Sequence, residues 1–225
     1  GSIIAVFSAV LLWALPQNVY APLVVAAFGT ALGLMLTGAF HEDGLADIAD
    51  GLGGSFDRER ALIIMKDSRV GAFGALALVL AITVKVVLLA LLGSVSVPVL
   101  LGGIFLGHVV SRGWPLVLIA TLAHVGDAAG SKSKPLAEKS DRRGLLTGAA
   151  WCALAGWGLW RVLPDLMPAM VGGVLISGVA ALYMGRLLWR RLQGFTGDGL
   201  GATQQVGEIA FYLGLALALG AGGGT

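Results

Sequence analysis

The sequence predicts an all-α fold, a polytopic integral membrane helical bundle of about six to seven transmembrane helices forming one domain over residues 1–225. Three observations carry that prediction. Mean hydropathy is +0.88, with 57% hydrophobic and 12% charged residues. Apolar stretches near the length of a bilayer crossing, roughly 18 residues or more, recur along the chain. Lys and Arg collect in alternate connectors, as the positive-inside bias of membrane proteins demands.

Seven apolar segments follow in order: 2–15, 19–40, 71–92, 97–122, 145–163, 168–188 and 207–223. The first is short. The sequence begins at Gly1 rather than Met, and this run reads as a helix that has lost its beginning. It has no basic region before it and no small-residue cleavage site, so it is not read as a signal peptide. Pro16, Pro22, Pro98, Pro164 and Pro168 punctuate segment ends, where a missing N–H is tolerated. The 35 glycines suit helices that approach closely in lipid. The single cysteine, Cys152, excludes an internal disulfide and lies in an apolar run, where it reads as a small core residue.

The connectors alternate in length. Those near 16–18, 93–96 and 164–167 are short, and those at 41–70, 123–144 and 189–206 are long and polar. Arg58, Arg60, Lys66 and Arg69 lie in the first long connector, and Lys132, Lys134, Lys139, Arg142 and Arg143 in the second. Arg190 and Arg191 mark the third, with Arg186 just before it. All three therefore face the cytoplasm in this reading. The halves show no repeated motif of the inverted-repeat kind.

The first connector opens with HEDGLADIADGLGG, residues 41–54. Read as a helical continuation of the second span, it places Asp43, Asp47 and Asp50 four and three residues apart, within about 60° on one face. Carboxylates so close repel one another unless they share cations. An oxygen-only donor set suits Mg²⁺, Mn²⁺ or Ca²⁺ rather than zinc. His41 points away from that face. Gly51, Gly53 and Gly54 end the helix and admit a ligand close to the backbone. The competing reading is a solvated acidic loop, which does not account for the helical phase.

Residues 56–74, FDRERALIIMKDSRVGAFG, follow. Asp57 is a candidate N-cap for a short amphipathic helix with Ala61, Leu62, Ile64 and Met65 inward. Lys66, Ser68 and Arg69 precede the third span, where Lys offers phosphate a point charge and Arg a fork. For Lys66 alone, membrane anchoring serves equally well.

Within the spans, Lys85 must pair or snorkel. His108 and Arg112 are four apart on one helix face beside Ser111, a polar stripe that is either a functional site or a structural tie between helices. The last connector, GFTGDGLGATQQVGEIAFYLG, sets Thr196 and Asp198 among glycines and Glu208 at the start of the last span. Such a turn can cradle phosphate, and Asp198 and Glu208 can complete a metal shell or take a proton. Residues 124–144 are basic and polar without a spacing that dictates chemistry. They read mostly as a solvated loop, with His124 and Asp127 as possible substrate contacts.

Three stretches together resemble one family: FHEDGLADIADGLGG, then DRERALIIMKDSRVGAFG, then TGDGLGAT with Glu208 after it. They are similar to cobalamin synthase, the adenosylcobinamide-GDP ribazoletransferases of bacteria and archaea. The resemblance in span layout covers most of the chain. The family has a further N-terminal stretch that is absent here, and residues 124–144 match least well.

The resemblance implies a membrane-embedded, Mg²⁺-dependent phosphotransferase that joins adenosylcobinamide-GDP to α-ribazole or its 5′-phosphate, releasing GMP. It implies a multi-pass protein of the bacterial cytoplasmic (inner) membrane with its active site facing the cytosol. The expected metal ligands are Asp43, Asp47 and Asp50, with Glu42. Lys66, Ser68, Arg69, His108, Arg112 and Thr196 are expected to bind substrate, and Asp198 or Glu208 to take the nucleophile's proton, with the ribazole 5′ oxygen as nucleophile. The lipid bilayer is the expected partner medium, no nucleic acid is implied, and a homo-oligomer stays open. Two alternatives remain. One is a CDP-alcohol phosphotransferase, whose D-x-x-D-G-x-x-A-R pattern is only partly present. The other is a cation- or proton-coupled transporter using Lys85, His108 and Arg112 as relay groups.

Overall fold

The computed structural model describes residues 1–125 and 142–222. All seven apolar segments are helices. They are α1 (Ser2–Ala14), α2 (Ala21–Thr37), α5 (Ala72–Val95), α6 (Val97–Thr121), α7 (Arg142–Val162), α8 (Met167–Leu192) and α9 (Gly197–Gly222). The first long connector adds α3 (Phe40–Gly54) and α4 (Arg58–Ile64), and a single 3₁₀ turn, Pro164–Leu166, leads into α8. The described residues contain no β-strand, only an isolated parallel bridge between His124 and Phe195. Three stretches are long and apolar enough to cross a membrane: Ala72–Val95, Val97–Thr121 and Pro164–Leu192. The bent pair α2 and α3 makes a fourth if counted as one span. At 13 residues, α1 is too short for the same test. Of the basic residues expected to mark the second connector, Lys132, Lys134 and Lys139 lie outside the described residues, as does Asp127.

Two boundaries differ from the sequence expectation: α9 begins at Gly197 rather than near 207, so that most of the third connector is helix, and the second difference lies at α3. The carboxylate helix does not continue α2. It turns away from it by 89°, at Gly38 (φ 63°) and Ala39 (φ 55°). Two successive left-handed residues end α2, and the amide of Ala39 returns to the Leu34 carbonyl. Glycine takes this geometry freely, whereas Ala39 takes it at a cost of about 1–2 kcal/mol. The turn lays α3 across the end of α2.

The main apolar core gathers α1, α2, α5, α6, α8 and α9 around Val25, Leu92, Leu100, Met170, Phe211 and Tyr212. Small residues set the closest approaches. Gly173 of α8 lies against Phe211, and Gly214 of α9 lies against Gly172 and Gly173, the close backbone contact that TM helix pairs favour. Ser177 ties three helices together: Trp114 Nε1 donates to its hydroxyl at 2.7 Å, and the hydroxyl donates to the Gly207 carbonyl at 2.7 Å.

The first and third connectors and the described start of the second, residues 123–125, meet at one end of this bundle. Arg58 Nε donates to the Leu192 carbonyl at 2.7 Å. Arg191 Nη2 donates to the carbonyls of Leu52 (3.1 Å) and Ser55 (2.6 Å). These guanidinium groups therefore cap the C-terminal ends of α8 and α3, where the last carbonyls lack helical partners. Across the bridge, Val125 N donates to Phe195 O at 2.9 Å and Phe195 N donates to Ala123 O at 2.8 Å. Asp57 caps α4 by accepting from Arg60 N at 2.8 Å. Behind it, Ala61 and Met65 are buried with Ile48 and Leu188 in a second core cluster.

The first turn of α9 rides directly on α3. A Cβ at Gly44 would stand 2.7 Å from the Asp198 carbonyl oxygen and 2.9 Å from its Cα, and one at Gly201 would stand 3.2 Å from His41 Cα. Backbone cannot give way as a flexible side chain can. Gly44→Ala is therefore expected to destabilise the protein by about 1–3 kcal/mol and to separate Asp198 from α3. Gly156→Ala, where a Cβ meets nothing within 4 Å, serves as the neutral control. Thermal melts of both variants in detergent check this.

Candidate functional site

Helix α3 keeps the phase of its carboxylates. Asp43 is exposed, Asp47 and Asp50 are half-buried, and Glu42 on the adjacent face is buried. Asp198 joins this face from α9, because its backbone lies on Gly44. The α9 turn that carries Asp198 is itself capped by a buried Thr196, whose hydroxyl accepts from Gly199 N at 3.1 Å. The T-G-D-G stretch is thus an N-cap followed by an acid in the first helical turn, where the helix dipole favours negative charge.

The carboxylates feel one another. Burial first, then the charges of Asp198, Asp43 and Asp50, push Asp47 up to about 7. Burial and Asp43 likewise raise Asp198 above the ordinary carboxylate range. His41 lies on the other side of α3. Burial and then Arg112 lower it to about 4, while Glu208 acts in the opposite sense, so its electrostatic neighbours are the bundle charges and not the aspartates.

Among the described residues, no three or more His, Cys, Asp or Glu side chains are gathered so as to hold a metal ion by themselves. This excludes a closed protein cage of the structural-zinc kind. It fits a Mg²⁺ ion, which keeps waters and typically takes only one or two carboxylates together with substrate phosphates. The donor chemistry is right for that sharing: oxygen only, acidic, and mutually repelling.

Asp50 has a further partner set that the sequence did not disclose. Its Oδ2 accepts from Gly71 N at 2.7 Å and its Oδ1 from Gly74 N at 2.8 Å. Asp50 therefore caps α5 from a different helix and fixes the exit of the connector. A Cβ at Gly71 or Gly74 would collide with its carboxylate, which explains the glycines of V-G-A-F-G. Lys66, Ser68 and Arg69 are exposed on the same link. The Arg69 guanidinium is engaged by Asp67, with Nη2 to Oδ2 at 2.6 Å, and it holds the Asp67 carboxyl down at about 2.

Behind the aspartates runs a buried polar network. Glu208 is wholly buried. Its Oε1 pairs with Lys85 Nζ at 2.6 Å and accepts from Tyr212 OH at 3.0 Å. Its Oε2 accepts from Gln204 Nε2 at 2.6 Å and lies 3.5 Å from His108 Nδ1. Lys85 thus pairs, as an intramembrane ammonium should, and its partner is on α9. Arg112 donates through Nη1 to His108 Nδ1 (2.9 Å) and to the His108 carbonyl (3.0 Å). Accepting from Arg112 leaves the proton of neutral His108 on Nε2. At its outer end the network reaches α3: Gln205 Nε2 donates to Glu42 Oε1 at 2.8 Å.

The structure thus brings together Asp43, Asp47, Asp50 and Asp198, and separately Glu208, His108 and Arg112. Glu42 stands between the two sets. Sequence reasoning passed over Gln204, Gln205 and Tyr212. The available signal was two adjacent amides and a tyrosine near Glu208, four residues apart and so on one helix face.

Two outcomes follow from these charges. In the unfolded chain Asp47 titrates near 3.8, and in the folded chain near 7. The folded state therefore binds the extra proton between those values, and its stability falls as pH rises from about 4 through about 7. Without divalent cations, the melting temperature of the native chain should fall with pH through this window relative to Asp47→Asn. In the core, Lys85→Met should cost about 3–5 kcal/mol by stranding the Glu208 carboxylate, and Lys85→Met with Glu208→Gln should recover most of that loss. Denaturation in detergent measures both.

Comparison with known proteins supplies the family. Residues 1–216 match the family model described as cobalamin-5-phosphate synthase. A protein of Albidiferax ferrireducens named adenosylcobinamide-GDP ribazoletransferase is 57% identical over 97% of this chain and 82% of its own length. A protein of the same name from Polaromonas naphthalenivorans is 55% identical, again over 97% of this chain and 82% of its own length. One from Leptothrix cholodnii is 42% identical over 95% of this chain and 80% of its own length. No solved structure matches the chain. With the family model spanning nearly all of the sequence, motifs and connectors included, the chain belongs to the cobalamin-5-phosphate synthase family.

Proposed function

We propose that this protein transfers the cobinamide phosphate of adenosylcobinamide-GDP to a ribose hydroxyl of α-ribazole or its 5′-phosphate, releasing GMP. The observation that carries the reading is the meeting of Asp43 and Asp47 with Asp198 at the connector end of the bundle, in a chain of this family. In the 5′-phosphate form the 5′ oxygen is already esterified. The nucleophile common to both acceptors is therefore another ribose hydroxyl, which revises the 5′ oxygen expected from the sequence.

In the proposed step, the hydroxyl oxygen forms a bond to the phosphorus attached to cobinamide. The bond from that phosphorus to the bridging oxygen breaks, and GMP departs with the oxygen. Asp43 and Asp47, with Asp198 beside them, would hold Mg²⁺ together with the substrate phosphates, and the ion would supply charge neutralisation for the pyrophosphate and the leaving phosphate. Asp50 supports this set by fixing α3 to α5 through Gly71 and Gly74. Asp198 is the better placed proton acceptor, since Glu208 is closed off by Lys85, Tyr212 and Gln204. Lys66, Arg69 and Arg112 would bind the remaining phosphate oxygens. Arg112 suits this role because its only hydrogen bonds among the described residues run to His108. The meeting of the first and third connectors at one end, with Arg58 and Arg191 there, and the charge bias of the connectors in the sequence support an inner-membrane protein whose site opens to the cytosol.

A CDP-alcohol phosphotransferase would use aspartates with similar logic, but its Ala-Arg element is missing here. A transporter reading needs mobile charges near the bilayer midplane, whereas Lys85 is committed to Glu208.

The test is an assay of the purified, lipid-reconstituted protein with adenosylcobinamide-GDP, α-ribazole and Mg²⁺. GMP release should fall by about two to three orders of magnitude in Asp47→Asn and cease on chelation with EDTA. Release unaffected by either change would overturn the metal reading. Activity on a CDP-activated lipid without any corrinoid product would favour the runner-up.

A further inference from the structure

We propose that Gln205 is a positioning residue for the aspartate face of α3, acting through Glu42 and anchored by Gln204 to the buried Lys85–Glu208 pair. The inference rests on the reading that Asp43 and Asp47 hold a divalent cation.

The amide protons of the two glutamines are fully committed, and in one sense only. Gln205 Nε2 donates to Glu42 Oε1 at 2.8 Å and to Gln204 Oε1 at 2.9 Å. Gln204 Nε2 donates to Glu208 Oε2 at 2.6 Å and to Ser111 Oγ at 3.1 Å. Rotating either amide by half a turn would set its oxygen against a carboxylate oxygen. Each orientation is therefore fixed by a charge at one end: Glu208 for Gln204, and Glu42 for Gln205. Both glutamines and Glu42 are buried, so water competes little for these bonds.

The chemistry of the link matters. Glu42 directly precedes Asp43, and fixing its side chain fixes the rotation of the first turn of α3. That rotation decides whether Asp43 and Asp47 face Asp198. A Lys or Arg at position 205 would fix Glu42 equally well, but would cancel negative charge beside the proposed cation. A neutral amide holds the carboxylate and leaves its charge in place. The second oxygen of Glu42 has no hydrogen-bond partner among the described residues, so this carboxylate depends on Gln205 for its placement. The network behind then serves as a fixed reference: Glu208 is held by α5 through Lys85, and Gln204 by α6 through Ser111.

The experiment compares the native chain, Gln205→Met and Asp47→Asn in nanodiscs. It reads Mn²⁺ binding by electron paramagnetic resonance, the melting temperature without metal, and kcat and KM for α-ribazole. Gln205→Met should bind Mn²⁺ about 10- to 100-fold more weakly and lose kcat by a similar factor, the size of loss that follows when the support of a metal site is removed. Its KM should stay close to native, while its metal-free melting temperature falls because Glu42 loses its hydrogen-bond donor. Gln205→Asn keeps the amide but cannot reach Glu42, and gives the same pattern should Gln205→Met fail to fold. Native Mn²⁺ affinity and kcat in both variants would overturn the positioning role alone, provided that Asp47→Asn loses binding. A lowered melting temperature with native Mn²⁺ affinity would reduce Gln205 to a packing residue and also overturn it. A native chain that binds no Mn²⁺, or an Asp47→Asn that binds as well as native, would remove the metal reading and this role together.

Discussion

The architecture depends on one carboxylate that has no access to water. Glu208 is buried completely among apolar helices, where the effective cost of an unpaired charge is several kcal/mol. Its two oxygens are met by groups from two helices, Lys85 from α5 and Gln204 and Tyr212 from α9 itself, with the His108 ring of α6 alongside. In lipid the apolar faces alone specify no unique helix arrangement, because tails and side chains are equally apolar. A charge that must be paired does specify one. Only the arrangement that seats Lys85 against Glu208 satisfies both groups, and it fixes α5 and α9 in register at the depth where α6 brings His108 and Ser111.

From that fixed point the site is built outward along α9. Helix α9 carries Glu208 within the bundle and, ten residues earlier, Asp198 at the connector end. Two glycines let this end of α9 lie on α3 at backbone distance. The position of Asp198 relative to Asp43 and Asp47 is thus inherited from the core pair through one rigid helix. Asp50 performs the matching task for the other end of α3, tying it to the start of α5. Both helices that meet at Glu208 are therefore also tied to α3. Helix α4 and the arginines at positions 58 and 191 close the remaining side.

Much of this was legible in the sequence, and the limits have physical reasons. Hydropathy located all seven apolar helices, and helical phase placed the aspartates of α3 on one face. Asp57 was readable as a cap because a cap acts on its own helix. Lys85 was readable as a group in need of a partner, since that need is set by the bilayer. The identity of the partner was not, because Glu208 lies on a helix distant in sequence and pairing is a property of packing. The same holds for Asp50: its spacing suggests a ligand, while its hydrogen bonds to Gly71 and Gly74 exist only once α3 has turned against α5. That turn was itself hidden. Nothing in T-G-A-F requires Ala39 to take a left-handed conformation, and the 89° bend appears only when α3 packs under α9.

The arrangement separates two uses of acidic residues that the sequence presents alike. Glu208 is stabilised by pairing: a lysine at 2.6 Å, with Tyr212 and Gln204, occupies its oxygens and leaves it nothing further to bind. Asp43, Asp47 and Asp198 are the reverse case. No lysine or arginine forms an ion pair with them among the described residues, and burial followed by their mutual repulsion raises Asp47 and Asp198. Such a cluster is destabilising in the free protein and becomes favourable only when cations arrive. Substrate pyrophosphate would complete the balance, since a metal shared between phosphates and aspartates relieves repulsion in both. In the proposed reading, a site built on such carboxylates would couple metal and substrate binding, because each would supply the charge that the other requires. The neutral amides between Glu42 and Glu208 keep the two regimes apart, transmitting position from the neutralised pair to the repelling cluster without transmitting charge.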